Sequence, residues 1–275
     1  MIKVNEALIP QTLFPGGEVK VTVDTDAYLL TKKICVEAVL KNSDDVLALV
    51  MVTNALRQAT KFATIDLTLL LYYFPYARQD RVCNEGEAHG VQAMAGLINS
   101  LNYNRVFVLD PHSDVIAAAV NNCVVVPQHE LAKEVVGEVI HEKKLALVAP
   151  DAGAEKKTNQ LAKYLGSWGL TPPVVYATKV RNLANGQILA TTYTGDVAGK
   201  DLLIVDDICD GGRTFIELAK KLKEGGAKTV SLYVTHGIFS AGLEPLKEHL
   251  DHVYCYHSFK NFDDAFVTVK ENTHA

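Results

Sequence analysis

The 275-residue chain has no long apolar run, no paired-cysteine spacing and no excess of positive charge. Its apolar stretches VLALVMV (46–52) and LTLLLYYF (67–74) fall far short of the roughly 20 residues a membrane-spanning helix needs. Five cysteines, at 35, 83, 123, 209 and 255, are scattered without CxxC or zinc-ligand spacing. Their odd number and isolation fit a reducing compartment rather than a disulfide framework, and most are expected to be small buried fillers. Lys and Arg number 27 against 32 Asp and Glu, a net charge of −5. That balance argues against a general nucleic-acid or membrane-surface binder, which needs a basic face. There is no low-complexity segment, and MIKVNEALIP at the start lacks signal-peptide architecture. The expectation is a soluble, cytoplasmic protein.

What is present is an alternation. Short apolar runs suited to strands lie at 46–52, 67–73, 105–109, 123–126, 145–149, 174–177, 202–205, 230–235 and 252–256. Helical patterns separate them at 53–62, 88–101, 113–121, 129–142, 155–166 and 214–224. Such alternation predicts α/β architecture with parallel sheets and crossover helices. The strands are apolar without interruption, which predicts cover on both sheet faces. RVFVLDPHSD (105–114) and LLIVDDICDGG (202–212) echo one another, each an apolar run, an acid and a polar loop opening a helix. Two similar lobes are expected, 1–127 and 128–275, with a last strand that either stays in the second or returns to the first. The Gly/Asn-rich stretch 180–200 reads as an excursion or a hairpin.

Polar clusters fall at the carboxyl ends of these strands, where open parallel sheets place their ligands. YYFPYARQDR (72–81) offers Arg78, Gln79 and Arg81, suited to polyphosphate oxygens or to a surface ion-pair cluster. LDPHSD (109–114) offers His112, a metal ligand or a merely hydrogen-bonded histidine. LVAPDAGAEKK (147–157) offers Asp151, a helix cap or a ligand to a hard cation. ATKVRN (177–182) offers Lys179 and Arg181, cations on a solvated loop or on a lid. LLIVDDICDGGRTF (202–215) sets Asp206, Asp207 and Asp210 before Gly211, Gly212, Arg213 and Thr214, either a solvated acidic turn or a phosphate cradle at a helix start. YVTHGIFS (233–240) is a sixth such end. Six clusters all able to meet phosphate or magnesium favour phosphate chemistry.

These stretches, together with FPGGEV (14–19) and GDVAGKDLLIVDD (195–207), resemble in order the ribose-phosphate diphosphokinases, or phosphoribosyl-diphosphate (PRPP) synthetases. The resemblance spans nearly the whole chain, and YARQDR and THGIFS are its distinctive motifs. It implies two type I phosphoribosyltransferase-like domains, each a mainly parallel sheet flanked by helices. It also implies Mg²⁺-dependent transfer of the diphosphoryl group of ATP to the anomeric hydroxyl of ribose 5-phosphate. By the same resemblance Arg78, Gln79, Arg81 and His112 hold ATP, with Phe14 and Glu18 at the adenine, usually from a neighbouring subunit. His112 and Asp151 are its magnesium ligands, and Lys179 and Arg181 its mobile-loop pair at the transferring group. Asp206 and Asp207 face the ribose hydroxyls, and Asp210 to Thr214 receive the 5-phosphate. A homo-oligomer, a dimer or an assembly of dimers, follows from the shared adenine site.

The chain departs from the family pattern in places. It begins late, with the first strand and helix ahead of FPGGEV expected to be largely absent. Gly16 stands where a polar residue is usual. The phosphate loop reads Asp-Gly-Gly-Arg-Thr instead of Asp-Thr-Gly-Gly-Thr, and CYHSFKNF (255–262) replaces a Thr-Ile-Pro ending. The altered loop leaves two acceptors open, ribose 5-phosphate or a larger ribose phosphate such as ADP-ribose. A type I phosphoribosyltransferase and a non-catalytic regulatory homologue are the other classes. Arg78 to Arg81 speak against the first, and retention of His112, Asp151, Lys179 and Arg181 against the second.

Overall fold

The computed structural model describes residues 1–28, 32–59, 65–139, 145–181 and 188–271. The chain divides into two compact units, Met1–Pro127 and Gln128–Thr273.

In chain order the first unit holds β1 (Ile2–Val4), β2 (Ala7–Leu8), β3 (Gln11–Leu13), β4 (Val19–Val21), β5 (Lys33–Ala38), α1 (Ser43–Ala59), β6 (Asp66–Leu71), α2 (Gly90–Ser100), β7 (Arg105–Leu109), α3 (Asp114–Ala119) and β8 (Cys123–Val126). One sheet runs β2-β1-β5-β6-β7-β8, and β3-β4 is a separate hairpin. Strands β5 to β8 are parallel, each crossover made by a helix, with β1 and β2 antiparallel at one edge.

One sequence expectation fails here. The run 46–52 is not a strand but the middle of α1. Its buried residues Asp45, Ala48, Leu49, Val52, Thr53 and Leu56 repeat at three and four, the spacing of one helix face. Leu47 and Met51 lie on the opposite face, 48% and 46% exposed, and fill in what would have been a polar stripe. The Asn42 side chain accepts the Asp45 N–H at 2.9 Å and starts the helix.

The second unit holds α4 (Gln128–Val139), β9 (Leu145–Ala149), α5 (Ala152–Gly166), β10 (Val174–Arg181), β11 (Ile188–Thr194), β12 (Asp201–Cys209), α6 (Arg213–Glu224), β13 (Thr229–Gly237), α7 (Glu244–Lys247), β14 (His252–Ser258) and β15 (Val267–Glu271). Its sheet runs β11-β10-β9-β12-β13-β14-β15, parallel except for the β10–β11 pair. Of the stretch read as an excursion or hairpin, β11 is an antiparallel partner of β10, and 182–187 lies outside the described residues. Strand β15 pairs with β14.

The continuous apolar reading of β12 has a two-sided cause. Leu203 and Val205 pack with Tyr233 against Ala132, Val135, Leu161 and Leu165 of α4 and α5. Leu202 and Ile204 pack on the other face with Leu218 and Leu222 of α6. Both faces are buried, so no polar alternation survives. Of the five cysteines, only Cys209 and Cys255 are fully buried, and Cys83 is exposed, so the filler expectation holds for fewer than expected. Burial pushes the Cys255 thiol up to about 12, which makes it a poor nucleophile. No helix among the described residues is long and apolar enough to cross a membrane.

Candidate functional site

In the first unit two strand-end loops meet at one carboxylate. The segment after β6 turns tightly, with Ala77 N–H on Phe74 O at 3.2 Å and Gln79 N–H on Tyr76 O at 2.8 Å. Val91 N–H then donates to Gln79 O at 3.1 Å, tying the loop to the start of α2. Only glycine fits at position 90: a Cβ there would lie 2.5 Å from Gln79 Oε1 and 2.9 Å from Gln79 Cβ. With the backbone held, Arg78, Gln79 and Arg81 are exposed, as is His112 at the end of β7. Asp80 joins the two loops. Burial raises its carboxyl, but the Ser113 hydroxyl, the Arg81 guanidinium and the His112 ring outweigh this and hold it below its ordinary value. Ser113 stands at the N-cap of α3 without bonding the helix backbone.

The β3–β4 hairpin carries Phe14 and Glu18 at its tip. Phe14 N–H donates to Glu18 O at 2.9 Å, and Gly17 closes the turn at φ +89°. Phe14 is 50% exposed, with the Lys20 ammonium 5.9 Å from its ring centre. The described contacts do not bring this tip to Arg78, Arg81 or His112.

In the second unit the ends of β9 and β12 bring acids together. Asp151 caps α5, its Oδ1 accepting Ala154 N–H at 3.2 Å. Asp206 Oδ1 accepts the Asp207 N–H at 2.9 Å, and Gln128 Nε2 donates to Asp206 O, also at 2.9 Å. Lys157, one helical turn into α5, reaches Asp207 Oδ2 at 3.6 Å. Burial, then the charges of Asp207 and Asp151, push the Asp206 carboxyl well above its ordinary value.

The loop after β12 is built to open a helix. Gly212 sits at the N-cap of α6 with φ +76° and no side-chain cap, so the first N–H groups point out of the helix end. A Cβ on Gly212 would lie 2.7 Å from Leu246 Cδ2, so glycine is required twice over. Gly211 is open, its nearest neighbour being Ser240 Oγ at 4.0 Å from where a Cβ would stand. Arg213 is the first helical residue; its φ is negative, so arginine costs the backbone nothing there. It is exposed, while Asp210 and Thr214 are half-buried. Such a helix start, with dipole and free N–H groups, suits an anion.

Lys179 and Arg181 lie on β10, opposite Thr191 and Ile188 of β11. His112 and Asp151 belong to different units. Among the described residues no three His, Cys, Asp or Glu side chains are arranged to hold a metal. Gly90, Asp80, Gln128 and Lys157 were not singled out from sequence as site residues. Asp80 lay within the quoted YYFPYARQDR stretch, beside its partner Arg81, whereas Gly90, Gln128 and Lys157 act on residues 11, 78 and 50 positions away.

An apolar parallel strand ending in paired acids, followed by a glycine-capped helix, defines a phosphoribosyltransferase type of unit. Residues 128–271 match the phosphoribosyl transferase domain family over more than half of the chain, and the chain belongs to that family. It is 32% identical over 188 residues to the ribose-phosphate pyrophosphokinase of Corynebacterium efficiens, a match covering 67% of this chain and 55% of that protein. The enzyme of the same name from Campylobacter jejuni is 29% identical over 231 residues, 82% of this chain and 71% of the relative. The match thus spans little more than half the length of the first relative. The phosphoribosylpyrophosphate synthetase structure from Mycobacterium smegmatis shares the fold, with a TM-score of 0.77 over 95% of this chain and 85% of that one, at 23% identity.

Proposed function

We propose that the protein is a ribose-phosphate diphosphokinase, transferring the diphosphoryl group of ATP to the anomeric hydroxyl of ribose 5-phosphate to give PRPP and AMP. The observation that carries this is the α6 start at Gly212, uncapped and preceded by the Asp206–Asp207 pair. A phosphate seated on the N–H groups of 211–214 sets the ribose over the two carboxylates, which accept bonds from its hydroxyls. In the first unit Arg78, Gln79 and Arg81 hold the triphosphate. Lys179 and Arg181 then stabilise charge on the diphosphoryl group as it transfers, and no covalent intermediate is required. A carboxylate beside the anomeric hydroxyl orients it or takes its proton.

Asp151 offers the hard carboxylate oxygen that Mg²⁺ takes, although no three such side chains converge among the described residues, so phosphate oxygens of the nucleotide would have to complete the ion's shell. Asp151, and His112 by resemblance, would hold the ion, which would supply charge neutralisation on the phosphates. We read the protein as cytoplasmic and homo-oligomeric, with Phe14 and Glu18 presented to a neighbouring subunit's adenine.

A second acceptor is favoured by a specific feature. Gly211 is open and Arg213 exposed where the family loop has Thr and Gly, leaving room and charge for a second phosphate, as in ADP-ribose. The test incubates the protein and Mg-ATP with ribose 5-phosphate or, separately, ADP-ribose, following AMP release and product mass. AMP with a ribose 5-phosphate product heavier by one diphosphoryl group is expected. AMP from ADP-ribose alone moves the assignment to the larger acceptor, and AMP with neither overturns the proposal.

A further inference from the structure

The segment Gly237–Ser240 lies against the phosphate loop and is held there from two sides. Ile238 and Phe239 N–H groups both donate to Cys209 O, at 2.8 and 3.1 Å, immediately before Asp210. Phe239 adopts a left-handed φ of +47°, a conformation that a non-glycine residue keeps only when its surroundings impose it. Its fully buried ring supplies part of that constraint, meeting Phe262 edge-on with centroids 5.6 Å apart. Gly237 makes room for it, since a Cβ there would lie 2.0 Å from Phe239 Cε2.

The second restraint is Lys260. Its ammonium donates to Phe239 O at 2.7 Å and to Ser240 O at 3.3 Å. Phe239 O also accepts Gly242 N–H at 2.9 Å, so this carbonyl is fixed by two donors. The lysine itself starts from a rigid place. Ser258 Oγ donates to Lys260 O at 2.7 Å and accepts Lys260 N–H at 3.1 Å, while Phe259 N–H bonds Gly237 O at 2.8 Å. Beyond this clamp, Ser240 Oγ is the neighbour nearest to the open side of Gly211.

We infer that Lys260 is a positioning residue for the acceptor site: by clamping the carbonyls of Phe239 and Ser240 it fixes the wall that faces Gly211 and sets the shape of the phosphate loop. This rests on the reading of 210–214 as a phosphate cradle. The lysine belongs to CYHSFKNF, the stretch that departs from the family's ending, and it faces the loop that departs from the family's phosphate motif. The two departures meet at Ser240, so Lys260 bears on which ribose phosphate is accepted.

Calorimetry on the full chain tests this with ribose 5-phosphate, inorganic phosphate and Mg-ATP. Lys260→Met keeps the apolar stem and removes the clamp. It is expected to weaken ribose 5-phosphate binding about tenfold, the scale of losing charge-assisted hydrogen bonds, with Mg-ATP within about twofold. Lys260→Arg should restore most of the affinity, and Ser258→Ala, which loosens the lysine's base, should cost about threefold. Unchanged ribose 5-phosphate affinity in Lys260→Met and Ser258→Ala, whatever their melting temperatures, would overturn the positioning role alone. A wild-type protein that binds neither ribose 5-phosphate nor phosphate would instead overturn the cradle reading beneath it.

Discussion

The Lys157 ammonium stands 3.6 Å from Asp207 Oδ2, a contact from the second turn of α5 to the end of β12 in which the carboxylate side chain is only 8% exposed. Lys157 pairs with Asp207, which itself crowds Asp206, and removing the lysine leaves Asp207 buried beside a like charge. Lys157→Met should raise the KM for ribose 5-phosphate about tenfold and lower stability by about 1–2 kcal/mol. Initial-rate kinetics with urea unfolding check this, and unchanged values in both would show the contact to be incidental.

The acidic cluster also fixes a pH dependence. The folded-state value of Asp206 is raised above the unfolded value of about 4, so the folded protein holds the proton more tightly. Below about pH 4 the group is neutral in both states and costs nothing. As pH rises through the folded value the penalty builds, and above it the penalty is complete. Asp206→Asn, in chelator-containing buffer, should therefore melt higher than the parent at pH 7, with the difference vanishing in acid. A parent protein that melts higher at pH 7 would refute the sign.

Gly212 and Gly211 should respond oppositely to alanine. Gly212→Ala forces a side chain into φ +76° and against Leu246, and should cost about 1–3 kcal/mol by urea unfolding. Gly211→Ala meets nothing closer than Ser240 Oγ at 4.0 Å and should leave stability within about 0.5 kcal/mol. Equal losses at both positions would contradict the loop geometry.

Asp80 should act on ATP and not on the acceptor. Asp80→Ala removes the carboxylate that pairs with Arg81 and faces the charge of His112, and is expected to raise the KM for ATP about tenfold with the ribose 5-phosphate KM unchanged. A parallel rise in both would mean that the loop collapses rather than loosens.

Local pattern carried much of this in the sequence. The runs 105–109, 123–126 and 145–149 are strands with those same ends, and Asp110 and Asp151 stand just past the carboxyl ends of the first and third. Pattern failed where the exposed face of an element is apolar, as Leu47 and Met51 disguised α1. It also missed strands β1 to β5: the first four are two or three residues long, and β5 is read only from the buried Ile34, Val36 and Ala38. The site's support was illegible for a different reason. Gly90, Lys157 and Lys260 owe their roles to partners 11, 50 and 21 residues away, counted to Gln79, Asp207 and Phe239, and no short window contains both halves.

The final strand, β15, covers the flank of β14, whose Val253 and Cys255 would otherwise border a row of unpaired N–H and C=O groups. The strand that takes the outside place ends in Lys270 and Glu271, charges that discourage a second chain from adding to the sheet. Five residues at the margin of the molecule thus guard it against edge-to-edge aggregation.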